Sequence, residues 1–138
     1  MIATRDWHHA EHGSFASAGG RWPAHCVAGT PGAELQPGID LRNVDLVLDK
    51  GTHPERDGYS AFEDTGLEQL RHDRDVDTVR VAGLALDYCV KATALDAKRA
   101  GFDVIVHLGA ARPVEASPGD ADRAVADLRD SGINVVED

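Results

Sequence analysis

Short apolar runs recur along the chain and alternate, in its second half, with segments typical of helices. The runs are MIAT, VDLVLDKG, TVRVAGLA, DVIVHLG and INVV. Because they are short and bounded by Gly, Pro or Asp, they predict strands of a largely buried sheet. Two segments between them predict helices: one from about Cys89 to Ala100, which Gly101 ends, and one over PGDADRAVADLRDSG, which Ser117 and Pro118 open.

Two polar segments interrupt this alternation. RDWHHAEHGSFASAGGRWPAHCVAGTPGAELQPGID is a long irregular stretch, and loops of that length in compact domains usually carry function. THPERDGYSAFEDTG is a second loop, and a short helix is predicted after it. In that helix Thr65 and Glu68 have the spacing of a capping box, while Leu67 and Leu70 are predicted to face inward.

The order of these elements indicates an α/β fold, with a mainly parallel sheet between helices in a three-layer αβα arrangement. A length of 138 residues fits one domain, residues 1–138, that buries roughly two-thirds of its unfolded surface. In such folds the ligand binds at the carboxyl ends of the strands. Lys50, Cys89 and the histidine-rich loop all follow predicted strand ends, and we therefore expect them to converge.

Net charge and cysteine content indicate which classes of partner are excluded and in which compartment the protein is expected. The net charge of −10 argues against nucleic acid and against an anionic membrane surface, because both require a basic face. No apolar run is long enough to cross a bilayer, and no basic-then-apolar leader stands at the N-terminus. Two cysteines without a CxxC pair predict reduced thiols, so a cytoplasmic location is expected.

Cys89 stands in GLALDYCVKAT, at a predicted strand-to-helix turn. One interpretation is a small buried hydrophobic residue, which is the commoner fate of a cysteine. The other is a nucleophile, because the first turn of a helix lowers the pKa of a thiol and offers N–H groups to an oxyanion. Asp87 beside it suits a helix cap as well as it suits a chemical role.

Histidines are concentrated near the N-terminus, where four of the seven fall within the first 25 residues. Asp6 and His8 lie two positions apart, so an extended segment directs both side chains to one side. With His25 they form a donor set that suits zinc, iron or manganese. The alternative is a group of ordinary surface histidines in a loop, and spacing alone leaves both interpretations open.

Lys50 is either a solvated lysine at a strand end or a cation that stabilises a thiolate or a transition-state charge. The aromatic residues of the polar loops, Trp7, Trp22 and Tyr59, are either core residues or flat walls for a ring-shaped substrate. Cys26, which has no second thiol nearby in sequence, is interpreted as structural.

Four segments occur in a specific order: TRDWHHAEHGSFA, WPAHCVAGTPGAEL, DKG followed by GYSAF, and VAGLALDYCVKATALDAKRAGF. From Thr4 to about Pro113 they resemble the nicotinamidases, which include pyrazinamidases, of the isochorismatase-like cysteine hydrolase family. The resemblance implies a metal-dependent hydrolysis of nicotinamide to nicotinate and ammonia in NAD salvage. Nicotinamide is then the small-molecule partner, and homo-oligomers, usual in the family, are implied without a fixed number.

The resemblance also implies residues that bind one divalent metal and the pyridine ring. The implied metal ligands are Asp6, His8 and His25, with His12 as an additional candidate. The metal binds the pyridine nitrogen, while an aromatic wall at Trp22 packs on the ring and Tyr59 lines the same pocket.

For the reaction itself, the resemblance implies that Cys89 attacks the carboxamide and forms a thioester that water hydrolyses. Lys50 matches the lysine of the catalytic triad. The backbone N–H groups of Ala85 and Cys89 match the oxyanion hole, and a cis peptide between Leu84 and Ala85 directs the first of them.

The chain departs from the family at two points. Leu86 stands where the family commonly has Thr. The resemblance implies a sheet with the strand order 3-2-1-4-5-6, and this chain begins at the strand that is second in the family. The first strand, the helix after it and the triad aspartate that the strand carries are therefore expected to be missing. We therefore expect the 138-residue chain to be inactive or nearly so. The alternatives are another isochorismatase-like hydrolase of small amides, and a non-catalytic remnant that binds metal or ligand.

Overall fold

The computed structural model describes residues 1–69 and 75–138. These residues form two compact units, Met1–Thr65 and Gly66–Asp138, each with its own sheet. The predicted α/β class with parallel strands is confirmed, since every strand pairing in both sheets is parallel. Among the described residues, no helix has the length and apolar character needed to cross a membrane.

The first unit is built on strands β1 (Ile2–Asp6) and β2 (Leu46–Lys50). They pair from Ile2 opposite Leu46 to Asp6 opposite Lys50, so the two strands end at the same level. Between them runs the long polar segment predicted as a loop, which contains the short 3-10 turns Ala16–Ala18 and Pro31–Ala33 and is followed by a third, Leu41–Asn43. Phe15 is fully buried and forms part of the core around which this segment folds.

The second unit contains strands β3 (Thr78–Leu84), β4 (Asp103–Arg112) and β5 (Asn134–Val136), in that order across the sheet. Helices α1 (Lys91–Arg99) and α2 (Asp120–Asp130) follow β3 and β4. The side chains that form its core are apolar and almost fully buried: Val90, Ala94, Ala97, Phe102, Val104, Val106, Ala124, Leu128 and Ile133. The order of strands inside each sheet agrees with the predicted order.

The connection from β3 to α1 differs from the prediction of one α-helix starting near Cys89. The peptide bond between Leu84 and Ala85 is cis, as the family resemblance implied. One turn of π-helix, Leu86–Val90, then precedes the α-helix. The side chains of Leu86 and Val90 are buried at either end of this turn, so burial anchors it and Cys89 lies inside it.

The short helix predicted after the second polar loop is only partly described. Residues 67–69 are helical, whereas Leu70 lies outside the described residues. The hydroxyl of Thr65 donates a hydrogen bond to the carbonyl oxygen of Ala61, in the turn that leads into the helix.

Candidate metal centre and nucleophile turn

The ends of β1 and β2 bring an acidic and a basic side chain together. Because Asp6 and Lys50 are aligned in the parallel ladder, their side chains leave the same face of the sheet. Lys50 is only 4% exposed, and its ammonium group donates to one carboxylate oxygen of Asp6. It also donates to the carbonyl oxygen of Gly58 at 3.0 Å. The buried ammonium is therefore paired, as a charge removed from water must be.

Asp6, His8 and His25 form a group with the chemistry of a metal site. One ligand atom from each lies within 4.8 Å of the others. The second carboxylate oxygen of Asp6 lies 3.8 Å from Nε2 of His8, while the first receives the Lys50 ammonium. One carboxylate and two imidazoles are a donor set typical of divalent zinc, iron or manganese with further positions open. The structure thus brings together the three predicted ligands.

Backbone carbonyl groups fix which nitrogen of each imidazole faces this group. Nδ1 of His8 lies 2.9 Å from the carbonyl oxygen of Gly51, and Nδ1 of His25 lies 2.8 Å from that of Pro23. Since a carbonyl oxygen only accepts, both Nδ1 atoms carry the hydrogen, and Nε2 of each neutral ring presents a lone pair. Orientation of ligating histidines by such outer hydrogen bonds is usual in metal sites.

The surroundings of His8 also favour the form that binds metal. Its side chain is almost fully buried, and this burial lowers the pKa of the imidazole below its ordinary value, more than the nearby Asp6 carboxylate raises it. The neutral form therefore predominates at neutral pH, and only the neutral ring offers a lone pair to a metal.

His12 is buried beside this group, with its ring centroid 4.4 Å from that of His8. Its Nε2–H donates to the carbonyl oxygen of Arg56 at 2.9 Å. Its Nδ1 lies 2.7 Å from the hydroxyl oxygen of Ser14 and accepts a longer bond from the Ser14 backbone N–H. Both ring nitrogens are thus engaged in hydrogen bonds, and the role of His12 as an additional ligand stays a prediction.

The two predicted substrate-binding aromatic residues contact each other in the same unit. The indole N–H of Trp22 donates to the Tyr59 hydroxyl at 2.8 Å. The Trp22 ring lies 6.4 Å from the His25 ring in an edge-to-face arrangement. The hydrogen bond fixes the orientation of the indole, so that a flat apolar wall stands beside the donor group.

Cys89 lies in the π-helical turn of the second unit, half-buried. The turn is closed at its start by the carbonyl oxygen of Ala85, which accepts from the N–H groups of Tyr88 and Val90. The two residues predicted to form an oxyanion hole, Ala85 and Cys89, therefore belong to one short structural element. A cis peptide enters it and α1 continues it.

Sequence reasoning missed the backbone groups that orient the site. The carbonyl groups of Gly51, Gly58 and Pro23 receive the His8, Lys50 and His25 side chains, and carbonyl groups leave no signature in a sequence. For two of these residues, the type of amino acid does indicate a special backbone position. Gly51 and Gly58 have φ angles of 61° and 66°, a region that favours glycine, and both lie in the segment DKG to GYSAF.

Comparison with known proteins gives a consistent family. The model of the isochorismatase domain matches residues 1–137. The nicotinamidase of Escherichia coli is 38% identical over 98% of this chain and 73% of that protein. Among solved structures, the pyrazinamidase of Pyrococcus horikoshii in complex with zinc is 41% identical, with a TM-score of 0.90 over 99% of this chain and 74% of that one.

A second solved structure extends the agreement. PnC1 from L. infantum in complex with nicotinate is 36% identical, with a TM-score of 0.92 over 99% of this chain and 70% of that one. The sequence, the parallel strand order and these likenesses all lead to the same assignment. This chain belongs to the isochorismatase family and is an amide hydrolase.

Proposed function

We propose that the chain is a nicotinamidase, which hydrolyses nicotinamide to nicotinate and ammonia. The observation that carries the proposal is the group of Asp6, His8 and His25, with both histidines oriented by backbone carbonyls, beside the Trp22 ring. A metal-binding group next to a flat aromatic wall suits a planar ring that bears a nitrogen lone pair. The E. coli relative is named a nicotinamidase, and the L. infantum structure contains nicotinate, which supports this choice of substrate.

The proposed cofactor is one divalent metal held by Asp6, His8 and His25. When bound, it supplies a Lewis-acid contact for the pyridine nitrogen, which orients the ring. The zinc in the P. horikoshii structure supports a metal of this kind, and iron and manganese suit the same donor set. Trp22 packs on the ring, and Tyr59 holds the indole in place through its hydroxyl.

The proposed covalent step belongs to Cys89. The thiol loses its proton and the thiolate attacks the carboxamide carbon; the C–N bond then breaks, and the nitrogen takes up the proton that the thiol lost and leaves as ammonia. Water then cleaves the resulting thioester, which gives nicotinate and returns the thiol. The N–H groups of Ala85 and Cys89 donate to the oxyanion that forms in each addition. Lys50 is the proposed catalytic lysine, whose ammonium group stabilises negative charge during the reaction and is held by Asp6 and Gly58.

The test is ammonia release from nicotinamide by the purified chain in the presence of zinc or manganese, and release would overturn the expectation, given above, that the chain is inactive or nearly so. Cys89→Ala should abolish release, whereas Cys26→Ala, which removes the other thiol, should preserve it. Removal of metal with a chelator should stop the reaction, and addition of zinc, iron or manganese should restore it and identify the effective ion. Release that is equal in the chain and in Cys89→Ala would refute the proposed nucleophile.

Two alternatives give different results in the same assay. Release from aliphatic amides but not from nicotinamide or pyrazinamide would indicate another small-amide hydrolase of the family. Binding of zinc and nicotinate in calorimetry, without ammonia release from any amide, would indicate a non-catalytic remnant.

We also propose that residues 1–138 act as one catalytic domain, because one family model matches residues 1–137. A cytoplasmic location is part of the proposal, since Cys26 and Cys89 are both reduced thiols.

A further inference from the structure

Asp87 makes a bidentate contact that the proposed mechanism does not use. One oxygen of its carboxylate accepts the backbone N–H of Val114 at 2.9 Å, and the other accepts that of Glu115 at 2.8 Å. These two residues lie 27 and 28 positions further along the chain. Asp87 therefore ties the π-helical turn to the segment that follows β4.

The partner segment is shaped to present these two N–H groups. Pro113, which directly follows the end of β4, has no N–H and a fixed φ. Glu115 has a φ of 54°, in the left-handed region, and its side chain accepts the N–H of Gly119 at 3.1 Å. Two consecutive N–H groups on one carboxylate are charge-assisted hydrogen bonds, which are stronger than those between neutral groups.

The position of Asp87 within the turn gives the contact its significance. It lies two residues after Ala85 and two residues before Cys89, which are the proposed oxyanion donors. A π-helical turn is a rare conformation that needs support from its surroundings. Leu86 and Val90 provide apolar support at the ends of the turn, and Asp87 provides the polar tie between them.

We infer that Asp87 is a positioning residue for the amide hydrolysis, which holds the N–H groups of Ala85 and Cys89 in the orientation that binds the oxyanion. The inference rests on the proposed function, because it needs Cys89 to be the nucleophile. It predicts a selective defect: loss of the carboxylate weakens binding of the tetrahedral adduct and leaves binding of the pyridine ring intact.

Pyridine-3-carbaldehyde separates these two effects. Addition of the Cys89 thiol forms an S–C bond, and the thiol proton moves to the former aldehyde oxygen, so the adduct places an oxygen where the oxyanion develops. Nicotinate forms no such adduct and reports on ring binding alone. The dissociation constants of the aldehyde and of nicotinate are measured by calorimetry with zinc present, in the parent chain, in Cys89→Ala and in each variant of Asp87 and Asp120.

Asp87→Asn keeps the shape and one acceptor oxygen, while Asp87→Ala removes both. We expect Asp87→Asn to weaken the aldehyde about tenfold and Asp87→Ala to weaken it further, with nicotinate affinity changed by less than about twofold. The matched control is Asp120→Asn, since Asp120 accepts the N–H of Ser117 at 2.7 Å at the other end of the same segment. It should leave both constants unchanged.

The outcomes distinguish this assignment from the proposed function. If the parent chain binds the aldehyde no more tightly than Cys89→Ala does, the proposed nucleophile is wrong, and the role of Asp87 is refuted with it. If the parent captures the aldehyde but both Asp87 variants do so equally well, or lose nicotinate binding in parallel, only the positioning role is refuted. Circular dichroism checks the fold; if neither Asp87 variant folds, Asp87 is a folding residue and the assignment is wrong.

Discussion

Gly58 approaches Gly51 so closely that a single added methyl group should disturb the metal centre. A Cβ at position 58 would lie 2.2 Å from Cα and 2.5 Å from N of Gly51. The obstacle is backbone at the end of β2, so no rotation of a side chain relieves the overlap. Gly58 also has a φ of 66°, which L side chains rarely adopt.

The cost of Gly58→Ala has two parts. The left-handed backbone costs an alanine about 1–2 kcal/mol. The overlap with Gly51 requires a shift in packed backbone, for which overpacked sites lose about 1–3 kcal/mol. We therefore expect the free energy of unfolding to fall by about 2–5 kcal/mol. Gly29→Ala is the matched control, because Gly29 has a φ of 75° and nothing lies within 4 Å of its Cβ position.

Urea titration followed by tryptophan fluorescence measures this difference. Both tryptophans of the chain, Trp7 and Trp22, lie in the Met1–Thr65 unit, so their signal reports on the unit that contains the substitution. Gly29→Ala should show only the backbone cost, about 1–2 kcal/mol. Equal loss of stability in the two variants would refute the steric argument.

The same substitution should weaken the metal site. The carbonyl oxygen of Gly51 orients His8, and that of Gly58 receives Lys50, so a shift of either backbone moves a side chain of the centre. Zinc affinity, measured by calorimetry, should fall about tenfold or more in Gly58→Ala, as when outer hydrogen bonds of a metal site are lost. Unchanged zinc affinity in a destabilised variant would show that the two glycines support the fold and not the site.

Three further predictions concern one hydrogen bond, one backbone angle and one ion pair. Trp22→Phe keeps an aromatic ring but removes the N–H that donates to the Tyr59 hydroxyl, and Tyr59→Phe removes the acceptor. Each should weaken nicotinate binding about threefold. Unchanged binding in both variants would contradict a role for this hydrogen bond in binding the substrate. Cys26 has a φ of 46°, in the left-handed region that glycine adopts more readily than other residues. In urea titrations, the free energy of unfolding of Cys26→Gly should therefore exceed that of Cys26→Ala by about 1 kcal/mol. Equal values would show that the backbone at this position is not strained. Arg42 lowers the pKa of Asp40 chiefly through side-chain hydrogen bonds, so Arg42→Ala should raise that pKa in an NMR titration of the carboxyl group. The folded state gains stability from this ion pair above the ordinary aspartate pKa of about 3.9, and it loses that stability as the pH falls through the lower pKa of Asp40 in the folded chain. A pKa of Asp40 that stays low in Arg42→Ala would refute Arg42 as the cause.

Much of the fold was predictable because buried parallel strands are short apolar runs with clear boundaries. TVRVAGLA and DVIVHLG both correspond to observed strands, although β4 continues to Arg112, through residues less apolar than its start. The helix predicted from about Cys89 lies in the observed helical segment, but the sequence did not reveal that its first turn, Leu86–Val90, is a π turn. Helical periodicity over residues 86–100 does not distinguish a π turn from an α turn, because their hydrogen bonds differ in spacing by only one residue. The choice between them depends on tertiary packing, here on the buried side chains of Leu86 and Val90.

Spacing predicted that Asp6 and His8 lie on one side of an extended segment, but it left ordinary surface histidines open as the alternative, and the family resemblance implied the full set with His25. The orientation of the rings was not predictable from the sequence. It depends on carbonyl groups, those of Gly51 for His8 and Pro23 for His25, and the first of these is 43 positions away from the ring that it orients. His12 shows the limit of residue identity, because its nitrogens contact Ser14 and a backbone carbonyl while its type alone suggests a ligand.

Strand register is the property on which the Lys50–Asp6 pair depends. Side chains of a strand alternate between faces, so the alignment of Ile2 with Leu46 fixes that of Asp6 with Lys50 four residues later. A slip of one residue would direct the ammonium group to the opposite face and leave the carboxylate without it. On the face of the pair, Leu46 and Leu48 are half-buried and Ile2 is exposed, whereas Lys50 is almost fully buried. Burial of the ammonium group costs desolvation, which is offset in this register by the hydrogen bonds that the group donates to Asp6 and to the carbonyl oxygen of Gly58.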